Sequence, residues 1–393
     1  MEKSRGIPTR ILILVLPVLL LIAAVIPAAA NPAYARRYGM ECRVCHAPAP
    51  RLTAFGEQFL NNGYRTFDPS DPDVRRDGGA ANDPLLVFRN GPPLALHFVG
   101  SLQWDKPAVE SKGFQAPYYF KIVSGGHFSD KLSYYATFYP FERYRPAHLE
   151  DAFLSWLLPL DLPVWLSAGQ FRVSDPVMAS DPITFRGRPI HSFTVGRSRI
   201  NLDYDRGINA TVRLKSGIEA VFFLVNGTGI ENAPVFDSDP YKNTAVHLAQ
   251  SLAGGAVTAG FFGYWGKERG PEGRINSTGY YGPDLRVRAG RFDVLAEYLR
   301  RTDSNPFFLA GPERQATDAW LTEAIFSPGG DEGRWFLALT WNRIRSSTPS
   351  ADQHSLSFAV NGVLRGTIVG LVEYGYDWNR GSHRFVAGVV TAF

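Results

Sequence analysis

The chain has 393 residues, a formal net charge of +4 and no basic tract. That excludes the electrostatic footprint of a nucleic-acid binder. Aromatic residues make up 13% and glycines number 38, a composition suited to many strands and turns.

The first segment reads as an export signal. Lys3, Arg5 and Arg10 precede an apolar run from Ile11 to Ile26, and small residues follow. Ala28-Ala29-Ala30 and Ala33-Tyr34-Ala35 both match an A-x-A cleavage pattern, which predicts a signal peptide over 1–35 cut after residue 30 or 35. The competing reading is a retained anchor, since a bilayer is spanned by roughly 20 apolar residues.

The only two cysteines follow, in Cys42-Arg43-Val44-Cys45-His46. An exported protein is expected to pair or use such thiols. In C-x-x-C-H each thiol adds to one haem vinyl group, and the adjacent histidine supplies a nitrogen to the iron. A zinc site would call for four ligands, and the sequence has no second cysteine pair. A redox pair would call for a βαβ context, and a plain disulfide gives His46 no task. The motif therefore predicts one covalently attached haem c, with Cys42 and Cys45 as thioethers and His46 as axial ligand. Leu52, Phe55, Phe59 and Leu60 recur at helical spacing, with Gly63 placed as a C-terminal stop. The expected module, 36–75, is too short to wrap a haem alone and is expected to borrow walls from the rest of the chain.

From about Pro92 to Phe393 the chain alternates with period two. Leu285, Val287 and Ala289 alternate with Arg286 and Arg288; Phe292, Val294, Ala296 and Tyr298 alternate with Asp293 and Glu297. Leu356, Phe358 and Val360 alternate with Ser355, Ser357 and Ala359; Val372, Tyr374, Tyr376 and Trp378 alternate with Glu373, Gly375 and Asp377. Asn226-Gly227, Gly254-Gly255, Pro328-Gly329-Gly330 and Asn379-Arg380-Gly381 mark turns. A soluble sandwich would point the apolar face inward; an outer-membrane barrel points it at lipid and keeps a polar lumen. Charges along the alternate face, aromatics at strand ends and an amphipathic C-terminal segment ending on Phe393 favour the membrane barrel. The predicted fold is mainly β: a transmembrane antiparallel barrel of about 16 strands over 92–393, preceded by a small helical haem module.

The stretch from Ala33-Tyr34-Ala35-Arg36-Arg37-Tyr38-Gly39-Met40 through the C-x-x-C-H motif, Pro50, Leu52, Phe55-Gly56, Phe59 and Gly63-Tyr64 resembles the N-terminus of the outer-membrane cytochrome–porin fusions. Gly169 to Asp175 and Tyr204-Asp205-Arg206-Gly207 resemble segments of the porin half. The resemblance implies a bacterial outer-membrane protein that carries electrons across the membrane, with its haem module on the periplasmic side or in the lumen. It implies Fe(II) outside as donor, hence an Fe(II)-oxidising electron-transfer protein, and a periplasmic c-type cytochrome as acceptor. Arg37-Tyr38 stands where the iron-oxidising members carry Gln-Thr, and Glu57 replaces their basic residue. These departures leave haem attachment intact and bear on the iron donor. Two other functions compete: a diffusion porin with a haem plug or sensor, and a soluble periplasmic electron carrier.

For the second axial position Met40 is the nearest candidate, against ordinary packing. Met178, in the polar segment Ser174 to Ser198 expected to fold into the lumen, and His97, His127 and His191 are its rivals. Arg186, Arg188, Arg197, Arg199, Arg286, Arg288, Arg343 and Arg345 read mostly as the solvated face of a lumen, with propionate binding as the alternative. Asp175 with Asp181, and Asp237 with Asp239, are carboxylate pairs in loops that offer ferrous-iron sites.

Overall fold

The computed structural model describes residues 33–46, 52–66, 93–106, 112–142, 147–178, 184–185, 187–230, 237, 239–330, 333–365 and 367–392. Residues 1–32 of the expected export signal, residues 67–92, which include the end of the expected haem module, Asp181, Arg186 and Phe393 lie outside them. Among the described residues three short helices come first: α1 (Ala33–Tyr38), α2 (Cys42–Cys45) and α3 (Ala54–Asn61). The strands are β1 (Leu94–Lys106), β2 (Lys112–Ser129), β3 (Leu132–Glu142), β4 (His148–Leu157), β5 (Val164–Arg172), β6 (Tyr204–Arg213), β7 (Ile218–Val225) and β8 (Asn243–Leu252). They continue as β9 (Val257–Arg269), β10 (Ile275–Ala289), β11 (Phe292–Asp303), β12 (Gln315–Phe326), β13 (Trp335–Ser346), β14 (Gln353–Arg365), β15 (Ile368–Asp377) and β16 (Ser382–Ala392). One further turn of helix, α4 (Pro189–Ser192), sits between β5 and β6.

Each strand pairs antiparallel with its neighbours in sequence, and β1 pairs with β16, so the sheet is a closed barrel of 16 strands. Closure removes the unpaired edges that an open sheet would expose to lipid. All four segments of marked alternation fall on strands, and the turn dipeptides fall between them.

The two faces are inverted relative to a soluble protein. Leu154, Phe222, Leu248, Phe261, Leu285, Leu339, Phe358 and Val372 are exposed on the outside. Glu297, Arg301, Glu323, Ser357 and Glu373 are buried within. The soluble arrangement, apolar face inward, is therefore not the one this chain adopts. Exposed Trp104, Phe114, Trp265 and Trp378 stand near one rim and Trp156, Phe292 and Trp335 near the other, as girdles at the two interfaces require. Among the described residues no helix is long and apolar enough to cross a membrane.

The rims differ. At one, short connections such as 130–131, 214–217 and 290–291 join the strands, and both ends of the wall, the start of β1 and the end of β16, emerge there. At the other lie the long connections 173–203, 226–242 and 304–314.

Leu248, half-exposed near the middle of β8, provides a test of the lipid face. Replacing it with arginine is expected to destabilise the folded barrel in bilayers by about 2–4 kcal/mol, read from denaturant-dependent folding into vesicles. An effect within experimental error would place that face elsewhere.

Candidate functional site: a plugged lumen

Helices α1 to α3 lie inside the barrel at the short-turn end. Their seat is aromatic. Tyr34 stacks on Tyr64 (5.8 Å, 6°), and Tyr64 stacks on Tyr135 of β3 (5.1 Å, 9°). Phe59 meets Tyr34 and Tyr38 edge-on at 5.1 and 5.4 Å. Arg65 reaches Asp130 in the β2–β3 turn (3.0 Å). Burial pushes the hydroxyls of Tyr34 and Tyr64 well above the ordinary tyrosine range, so both stay neutral. Two glycines make the fit possible: a β-carbon on Gly125 would meet the Tyr34 hydroxyl, and one on Gly63 would meet Trp165 and Ser133.

Across the lumen, Glu57 on α3 is held by two arginines of β10. Arg286 donates to it at 2.9 Å and Arg288 at 3.1 Å, and both arginines also pair with Asp293 of β11. The departure noted at Glu57 thus has a structural partner. Arg286 and Arg288 are not a plain solvated face; they clasp the plug. The helices are thus seated on the barrel wall from both sides.

The cysteine motif forms one helical turn. The His46 amide donates to the Cys42 carbonyl (2.9 Å), and Cys42 and Cys45 stand at the two ends of α2. Thr53 caps α3 through the Gly56 amide (3.1 Å) and ties α3 to α2 by donating to Cys45 and Val44 carbonyls (2.9 and 2.6 Å). Gly56 lies directly against the Cys45 carbonyl, where no side chain fits. At the far end, Gly63 takes a positive φ of 70° as the helix stops, as its position in the sequence predicts. Met40, Cys42, Cys45, His46, Leu52 and Phe59 line one interior cavity of about 2930 Å³. Ligand pockets run to about 300–1,000 Å³; this larger space spans the lumen, and both cysteines and His46 stand on its lining.

The long-loop end is filled by segment 173–203, which folds into the lumen as expected. It is not simply polar. Val173, Ile190, Phe193, Val195, Ile200 and Leu202 bury themselves against Phe223, Phe262, Tyr280, Leu295 and Leu299 of the wall. Its polar groups are tied to the wall as well. Arg188 pairs with Glu323 (3.0 Å), His191 with Glu297 (2.7 Å), and the Arg199 amide donates to Glu268 (3.0 Å). Arg301 donates to the Ile200 carbonyl (2.8 Å) and to Ser198 (2.9 Å). The Phe185 amide donates to Glu373 of β15 (2.5 Å), and the Phe185 ring packs on Tyr118 of β2 at 4.9 Å. The segment therefore crosses the whole lumen.

These ties sort the remaining candidates. His191 is engaged by Glu297 and lies in the loop, apart from α2. His97 and Met178 line the cavity. His127 is buried on β2, two residues beyond the Gly125 that seats Tyr34. Arg343 and Arg345 flank the buried Ile344 and face outward, so they do not line the lumen. Asp239 accepts the amides of Tyr241 (2.8 Å) and Arg269 (3.0 Å), and Asp237 pairs with Lys242, so these carboxylates brace their loop.

No family model and no curated protein matches the sequence. Solved structures do match. The anion-selective porin from Comamonas acidovorans superposes with a TM-score of 0.57 at 10% identity, over 77% of this chain and 100% of that one. Pseudomonas putida OprB gives 0.56 at 9% identity (77% and 94%), and Salmonella typhi OmpF gives 0.55 at 10% (76% and 97%). The closed 16-stranded barrel of this chain thus has the fold of these porins.

Burial, and then the charge on Cys42, raises the Cys45 thiol to about 11; burial raises that of Cys42 as well. Unattached thiols here are protonated at neutral pH and become nucleophilic only as pH climbs. In protein produced without haem, iodoacetamide is expected to alkylate Cys45 on the order of a hundredfold more slowly at pH 8 than a free cysteine. A rate matching free cysteine would mean that the motif is solvated.

Proposed function

We propose that the chain is an outer-membrane barrel whose lumen is occupied by a haem-bearing plug, and that it carries electrons through the membrane. The observation that supports this reading most is the placement of the motif. Cys42, Cys45 and His46 face a cavity inside a lumen that the plug enters from one end and the loop 173–203 crosses from the other. By the usual orientation of bacterial barrels, short turns face the periplasm, so the motif sits at the periplasmic side. Bound there, haem supplies a one-electron redox centre whose potential is set by axial ligation and burial. Cys42 and Cys45 would anchor it, His46 would supply a nitrogen to its iron, and Met40 is the near candidate for a second ligand. Leu52 and Phe59 give it an apolar wall, and the clasp of Arg286 and Arg288 on Glu57 fixes the plug so that the centre keeps one position. Lipid holds no carriers, so a fixed centre in a protein-lined hole is what such transfer requires. The resemblance supplies the partners: Fe(II) outside and a c-type cytochrome in the periplasm.

A second reading is a diffusion porin whose plug gates or senses. It is favoured by the likeness to channels and by the cavity of about 2930 Å³ that remains between plug and loop.

Purified protein is expected to carry one haem per chain by haemochrome assay, and the Cys42→Ala/Cys45→Ala variant none. In sealed liposomes with an internal acceptor, haem-loaded protein is expected to pass electrons from external Fe(II). Solute conductance without electron flux would select the porin reading. Tyr34 belongs to the plug, so of the two cleavage positions the one after Ala30 preserves it. Intact mass is expected to show a chain beginning at Asn31; a chain beginning at Arg36 would lack the Tyr34–Tyr64 stack.

A further inference from the structure

The opposite end of the cavity holds a cluster that the sequence did not mark. Glu142 ends β3 and His148 begins β4, both at the long-loop end. Two bulges turn these residues inward. On β4, Ala152 pairs with Ala136 but Leu149 with Phe138, so one extra residue lies at 150–151. On β3, Phe138 pairs with Ile122 but Phe141 with Phe120, so one extra residue lies at 139–140. Each extra residue flips the faces beyond it. Phe153 and Ser155 line the cavity below the bulge, and His148 and Glu150 line it above; Tyr139 lines it below, and Glu142 above.

The ligand atoms of Glu142, His148 and Glu150 all lie within 4.8 Å of one another. His148 Nε2 is 3.3 Å from a Glu142 oxygen, and these two side chains are only 29% and 18% exposed. His148 and Glu150 are steadied from behind. The His148 ring stacks on Tyr139 (5.1 Å, 5°). Tyr204 donates to Glu150 (2.9 Å) and in turn accepts from Arg172 (2.6 Å). Such outer partners fix the orientation of metal ligands.

We infer that Glu142, His148 and Glu150 bind a first-row divalent transition-metal cation inside the lumen. Two carboxylates and an imidazole form a mixed oxygen and nitrogen set that suits Mn(II), Fe(II), Co(II) and Zn(II). Calcium takes six to eight oxygens, as a rule, which three side chains do not supply. Three protein ligands also leave coordination positions for water or an exchanging ligand. The site belongs to the barrel wall and is independent of whatever occupies Cys42 and Cys45. It faces the same cavity as the cysteine motif, from the other end.

The test is an EPR titration of the full chain in detergent with Mn(II), following loss of the free-ion signal. Saturable binding of one Mn(II) per chain is expected, with nitrogen coupling from an imidazole in the pulsed spectrum. Glu150→Gln, which keeps an acceptor for Tyr204, and His148→Gln are each expected to weaken binding about tenfold or more, with nitrogen coupling lost in H148Q. Cys42→Ala/Cys45→Ala protein is expected to bind as the wild type does, which separates this site from the haem reading. No saturable binding by the wild type, or variants that bind like it, would overturn the proposal.

Discussion

Lipid cannot hydrogen-bond a peptide group, and that constraint organises this molecule. A sheet in a bilayer has to close on itself, and once closed it has to show apolar side chains outward. Everything polar that the strands carry is then pushed inside. Glu373, Glu323, Glu297, Arg301 and Glu268 all face inward and are almost fully buried. Buried charge is costly unless paired, so the wall presents a set of inward hooks that demand partners. Segment 173–203 meets much of that demand, and Glu57 of the plug adds a partner for Arg286 and Arg288.

The two inserts use different physics. The loop is a small core in its own right, with Phe193, Ile200 and Leu202 packed on wall residues and its polar side chains tied to the wall at 2.7–3.0 Å. The Arg188–Glu323 pair is dry, so losing one partner strands a buried charge. The plug is seated by stacked aromatic rings on one side and by a half-solvated clasp on the other, where Glu57 is 35% exposed. Exposed pairs are worth little apiece, and the stacked tyrosines carry more of the seat. The loop is thus built as part of the wall, and the plug as a docked piece.

Much of this was legible in the sequence because a membrane barrel writes its period plainly. The alternation of Arg286 and Arg288 with Leu285 and Val287 needs only local neighbours to be read. Gly63 as a helix stop and 174–198 as a lumen loop were local signals too. What was hidden depends on distant residues or on parity. Nothing near Glu57 announces Arg286 and Arg288, which are 229 and 231 residues away. The loop reads as polar until the wall supplies partners for its apolar half. Arg343 and Arg345 look like lumen arginines, but buried Ile344 between them assigns them outward. Glu142, His148 and Glu150 escaped because bulges reverse the faces just before them. A strict two-residue count would have pointed the wrong residues inward.

The seam between β1 and β16, paired from His97–Ala392 to Lys106–His383, sets an order of assembly. The wall cannot be completed until the last strand has been made, because its first and last strands are each other's neighbours. Such long-range pairing is slow. The plug precedes β1 in the chain, and the loop lies between β5 and β6, so both are available while the ring is still open. Once the seam zips, the clasped plug and the packed loop sit within a ring of continuous hydrogen bonds. The contents of this barrel thus belong to parts of the chain that come before its closing strand. A group joined to Cys42 and Cys45 would be held on a segment that precedes every strand of the wall.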